Sequence, residues 1–166
     1  MSSFATSYIP TTSAAVTRTA DQASMTGTNF SSWYNQAQGT FYVESNPSQS
    51  ISAWYILTNQ NSASGRIMYS NGSGIYSYDG ANIGTFTSST VANGIYKTAC
   101  ALTPTVNTNT ADGNIPTTSI TNGNILYSTA LYIGNSAGFF TMNGHIRKIN
   151  YYPVALSSAV LRALTS

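Results

Sequence analysis

The chain has 166 residues, the length of one domain. Only 6% of them are charged, with six Lys or Arg against four Asp or Glu, while 63 are Ser, Thr or Asn. One Glu and two Lys exclude a coiled coil or long surface helix, four carboxylates exclude a multi-metal site, and scattered cations exclude a nucleic-acid groove. At 42% hydrophobic and 12% aromatic, the chain has the material for a packed core. It shows no signal peptide and no apolar stretch long enough to span a membrane. Cys100 is the single cysteine, which precludes an intrachain disulfide and reads as a buried thiol.

In chain order, residues 1–15 are small, polar and turn-like. Pro10 biases Ile9 away from helix, so an extended arm is expected, with Tyr8, Ile9 and Pro10 as its gripping residues on a neighbouring molecule. Residues 16–166 are expected to form a single domain. A single helical turn is expected around 30–35. Runs rich in β-branched and aromatic residues predict strands over 39–45, 51–58, 66–70, 74–78, 95–103 and 130–133.

Phe41 and Val43 alternate with Thr40, Tyr42 and Glu44. Strict alternation would likewise put Ile67 and Tyr69 on one face and Arg66 and Met68 on the other. Over 145–152 the parity breaks, because Ile146 opposes Ile149 and Tyr151; a β-bulge would bury both sets. Six Asn-Gly or Asp-Gly pairs, among them Asp79-Gly80, Asp112-Gly113 and Asn143-Gly144, read as type I′ hairpin turns. Pro153 ends the last strand, and residues 156–164 predict one short helix with Ser157 as N-cap. Many short strands with frequent turns make an all-β sandwich or barrel.

Catalytic chemistry finds little footing. Glycoside hydrolysis needs two carboxyl groups flanking the scissile bond. Glu44 has only Tyr42 and Asn46 at the positions where a strand partner would stand. Asp79 and Asp112 sit in turns, where a structural role suffices, although one weak calcium site near either is an alternative. His145 follows a turn and lacks a Gly-x-Ser-x-Gly nucleophile elbow anywhere in the chain. No His or Cys spacing fits zinc, and no cofactor is expected. Sugar binding fits better, since sugars stack on aromatic faces and bond to amides and hydroxyls. Trp33, Tyr34, Phe139 and Phe140 lie in loop-like contexts and are the candidate sugar-stacking residues. The competing reading places Trp33 and Trp54 in the core or at a subunit contact, Trp54 being the more core-like.

The stretch Ser7-Tyr8-Ile9-Pro10-Thr11, with Ala15-Val16-Thr17-Arg18 and Ala20-Asp21, resembles one common in bacteriophage tail and virion proteins. There it precedes a laminin-G-like, concanavalin-A-like jelly roll. The end of the chain is similar to that domain's closing strand and helix: Leu131-Tyr132-Ile133-Gly134, Asn143-Gly144-His145-Ile146-Arg147-Lys148-Ile149, Tyr151-Tyr152-Pro153, then Leu156-Ser157, Leu161 and Leu164. Gly39-Thr40-Phe41 and Arg66-Ile67 resemble its early core strands.

The resemblance implies an all-β, two-sheet antiparallel jelly-roll sandwich with one short C-terminal helix. It also implies a virion protein, made in the bacterial host cytoplasm and carried on the particle surface. With the weakly charged surface and the missing catalytic set, the leading expectation is a non-enzymatic capsid decoration, or cement, protein. Its partners would be the major capsid protein or tail proteins, and it would form a homo-oligomer such as a trimer. The alternative is a tail-fibre or tail-tip module that recognises a host surface glycan.

Overall fold

The computed structural model describes residues 22–47, 54–59, 65–71, 74–79, 82–86, 94–121, 126–136 and 140–166. The arm residues Tyr8, Ile9 and Pro10, and Phe139, lie outside the described residues. Eleven strands are described: β1 (Ala23–Thr26), β2 (Gly39–Pro47), β3 (Trp54–Thr58), β4 (Arg66–Ser70), β5 (Ile75–Tyr78), β6 (Ile83–Phe86), β7 (Tyr96–Leu102), β8 (Val106–Ala111), β9 (Thr117–Ile120), β10 (Ala130–Ile133) and β11 (Gly144–Tyr152). Two helices accompany them, α1 (Thr28–Ser31) and α2 (Ser158–Thr165). The strands form two antiparallel sheets, in the orders β1-β10-β3-β4-β5-β6 and β11-β2-β7-β8-β9. The architecture is the expected jelly-roll sandwich with one short C-terminal helix.

Alternation builds the interior. From β2, Phe41 and Val43 point between the sheets and meet Trp54, Ile56, Leu57, Ile67, Met68 and Ile75. Tyr42 points the other way and joins Ala99, Ala101 and Leu161 in a second cluster beneath α2. Trp54 and Cys100 are both core residues without exposure. Burial pushes the Cys100 thiol well up from its ordinary value.

The strict alternation expected for β4 is corrected. Ile67 and Met68 are both buried in the core, and Arg66 lies with Tyr69 on the opposite face. The register slips between Tyr55 and Thr58 on β3 and between Arg66 and Tyr69 on β4. These irregularities turn two successive side chains inward on each strand. The bulge expected in the last strand is present, between Ile146 and Lys148. It lets Ile146, Ile149 and Tyr151 all pack on the core.

Turn chemistry held at Asp112-Gly113, where φ is 51° and 70° and Asn114 N–H donates to Ala111 O at 3.0 Å. Both residues occupy the left-handed region that a type I′ turn requires. Asn143-Gly144 is corrected: Asn143 is not left-handed, and Gly144 opens β11. Strands β6, β8 and β9 were not expected from the sequence. In β8, Asn107 and Asn109 are buried, an unusual load for a strand. Asn109 donates to Ser77 across the sandwich at 3.1 Å, so the interior turns polar at this end. Gly84 lies at this polar end, and a Cβ there would meet Asn109, Ser77 and Ser119. Helix α2 starts after Ser157, as expected, although that side chain makes no capping bond.

Candidate functional site: the outer face of the six-stranded sheet

Residues opposite one another in antiparallel strands share a face. Ser24, Tyr132, Thr58, Arg66, Tyr78 and Ile83 are successive cross-strand partners, forming one row across all six strands. A second row runs Tyr55, Tyr69, Tyr76 and Thr85. Their inward neighbours Ile56, Met68 and Ile75 fill the core, so both rows face outward. Five of the chain's twelve tyrosines therefore stand on one sheet face.

The rings are in contact. Tyr55 and Tyr69 meet edge to face at 5.9 Å, and Tyr69 and Tyr76 lie 5.8 Å apart. Such pairs contribute about 0.5–1.5 kcal/mol each beyond the area they bury. The Arg66 guanidinium sits 5.2, 5.0 and 4.9 Å from the ring centres of Tyr55, Tyr69 and Tyr78. Burial raises the Tyr55 and Tyr69 phenols above their ordinary value, and the nearby Arg66 charge opposes that rise.

Beside the Tyr132 end of the first row lies a polar cavity of about 420 Å³. Gln36, Asn59, Tyr127, Ser128, Thr129, Ala130 and Tyr132 line it. Asn59 follows directly on β3, and its N–H donates to Gly65 O at 3.0 Å, beside Arg66. Its carboxamide is fully buried, and neither Nδ2 nor Oδ1 has a hydrogen-bond partner among the described residues. An unpaired buried polar group costs about 1–3 kcal/mol. Here the cost falls on a residue at the wall of a cavity, with a donor and an acceptor unmet. Tyr127 is 59% exposed at the rim, and Tyr132 is half-buried.

The sequence-expected sugar residues are placed as follows. Tyr34 is turned into the core, stacked on Phe30 at 4.5 Å with Tyr151 at 5.6 Å, so its ring faces are taken. Trp33 is half-buried; its Nε1 donates to Asn29 O, and its ring meets Phe30 and Tyr151 edge-on. It also lines an apolar cavity of about 250 Å³ with Met25, Leu131 and Ile149. Their segment is mostly polar, and the single turn of α1 anchors it against the sandwich through the buried Phe30. Of the three described, only Phe140 stands on the tyrosine face. It is 53% exposed, has a left-handed φ of 53°, and lies 4.9 Å from Tyr55, whose N–H donates to Phe140 O.

Other expectations met structural roles. Asp79 is buried and accepts bonds from the Asn82 N–H and Nδ2. Asp112 accepts from the Lys97 N–H at 3.0 Å. His145 is exposed on β11. Among the described residues no group of three His, Cys, Asp or Glu comes together.

The two-sheet jelly roll is shared with proteins of solved structure. A carbohydrate-binding module, the CBM40 of Ruminococcus gnavus IT-sialidase bound to alpha2,3 sialyllactose, matches with a TM-score of 0.56 at 14% identity, covering 78% of this chain and 84% of that one. Trypanosoma rangeli sialidase matches with a TM-score of 0.60 at 14% identity, over 78% of this chain and 22% of that one. A heptameric pentraxin from Limulus polyphemus matches with a TM-score of 0.57 at 16% identity, over 78% of this chain and 70% of that one. No family model and no curated protein sequence matches the chain.

Proposed function

We propose that this chain is a non-enzymatic glycan-binding module whose site is the outer face of the six-stranded sheet. One observation carries the reading: the buried, unpartnered Asn59 carboxamide lines a polar cavity flanked by Tyr127 and Tyr132. An amide can donate to one sugar hydroxyl and accept from another, while a tyrosine ring takes the apolar face of a pyranose. The likeness in fold to a module solved with sialyllactose supports an oligosaccharide as the ligand class.

The same proposal includes the virion placement expected from the Ser7-Tyr8-Ile9-Pro10-Thr11 stretch. A glycan-binding module on a phage particle would meet host surface glycans, which is the receptor-binding expectation of the sequence. The capsid-cement expectation has no observation on the described residues behind it. A homo-oligomer remains part of the proposal, and sedimentation of the purified chain tests it.

A glycan array followed by calorimetric titration tests the binding reading. Asn59→Ala is expected to weaken the best oligosaccharide by about 10-fold, the size of a lost hydrogen-bond pair. An array without a hit, or an Asn59→Ala variant that binds as tightly as the parent, overturns the proposal.

A further inference from the structure

We infer that the ligand of this face is an acidic glycan, whose oxyanion, a carboxylate or a sulfate ester, is received by Arg66; the inference rests on the glycan-binding reading above. Arg66 is the one charged residue in the six strands of its sheet. Its guanidinium lies within 5.2 Å of three tyrosine ring centres, which hold its position and strip water from it. Its Nε is buried and has no hydrogen-bond partner among the described residues. The described carboxylates are engaged elsewhere. Glu44 accepts from the Tyr42 hydroxyl, Asp79 from Asn82, and Asp112 from the Lys97 N–H.

A planar fork of donors held on aromatic faces, with its charge unmatched by any described carboxylate, is the arrangement that takes a planar or tetrahedral oxyanion with two parallel bonds. The position also fits the cavity. Arg66 stands two strands from Tyr132, and strands are about 4.8 Å apart. A ligand that stacks on Tyr132 therefore crosses about 10 Å to reach Arg66, more than a single sugar ring covers.

The experiment compares a neutral oligosaccharide with its carboxylated and its sulfated derivatives, titrated into the whole chain at low and high salt. Lactose, sialyllactose and sulfated lactose are the probes. The acidic ligand is expected to bind about 10-fold or more tightly than lactose, with the advantage shrinking as salt rises. Whichever derivative carries that advantage identifies the oxyanion. Arg66→Gln is expected to erase the advantage, lowering affinity for the acidic ligand about 10-fold more than for lactose. Arg66→Lys keeps the charge but not the fork, and should retain only part of it. Thermal melts of both variants report whether the ring stack survives. Equal binding of neutral and acidic probes, or equal loss of both in a folded Arg66→Gln, overturns the inference and leaves the glycan reading standing. Binding of none of the three probes, with no hit on the array, removes both.

Discussion

The outer face of the five-stranded sheet is covered over β7 and β8 by helix α2, whereas that of the six-stranded sheet buries Tyr55 and Tyr69 around Arg66 with no helix against it among the described elements. On the first, Leu161 is fully buried against Tyr42, Ala99 and Ala101. The Thr40 hydroxyl bonds to Val154 O and receives the Leu156 N–H, which ties the final segment to β2. Arg162 and Thr165 bond to Gly113 in the β8–β9 turn. Tyr42 donates to Glu44, so its polar tip is also satisfied. On the second face, polar atoms are buried without partners at Asn59 and Arg66. The difference teaches that burial alone does not mark structure. One face buries its groups with their bonds made, and the other buries two of them with bonds left over.

Measurements that break or sharpen this contrast can be ordered by expected effect. The largest comes from alkali. Burial raises Tyr34 and Tyr42 well above their ordinary value of 10.0, and Cys100 above 9.0. The folded chain keeps these protons at a pH where the unfolded chain releases them. Their contribution is fully present below about pH 9 and falls as pH climbs beyond 10. Melts from pH 8 to 11 should show a steepening loss, and a flat profile would remove the claim that these groups are desolvated.

Next comes Leu161→Ala, which empties the covered face. It should cost about 2–4 kcal/mol in denaturant unfolding and leave glycan affinity unchanged. Asn59→Leu should do the reverse. Removing a carboxamide with no partner is expected to leave stability unchanged or raise it by about 1 kcal/mol, while glycan binding disappears. A marked loss of stability there would show that Asn59 is structural. The smallest effect belongs to Tyr127→Ala. Its ring is exposed, so the change in stability should stay within about 0.5 kcal/mol while affinity drops several-fold.

How legible the molecule was differs between its parts. The edges of β4 and β10 matched the strands read from 66–70 and 130–133, because β-branched and aromatic runs bounded by turn residues state their own period. Strand β8 was illegible because Asn disfavours strands unless a partner waits across the sandwich, as Ser77 waits for Asn109. The candidate site was less legible still. Trp33 and Tyr34 stood out as loop aromatics, yet the core claims Tyr34 and holds much of Trp33. The tyrosines of the outer face looked like ordinary strand residues. One signal was present and went unread: Arg66 as the sole charge at the head of an apolar strand.

By itself the sequence determined that this is an all-β chain with a real core, few charges and a final short helix. Composition, turn residues and local period are properties of neighbouring residues, and they survive without a fold. Only the tertiary structure decided which side chains meet. The bulges in β3 and β4 turned Arg66 and Tyr69 to the same face, and strand pairing set Arg66 beside Thr58 and Tyr78. Closure of the sheets left Asn59 buried with its hydrogen bonds unmade. These outcomes depend on register between strands distant in sequence, and register is fixed by packing across the whole sandwich.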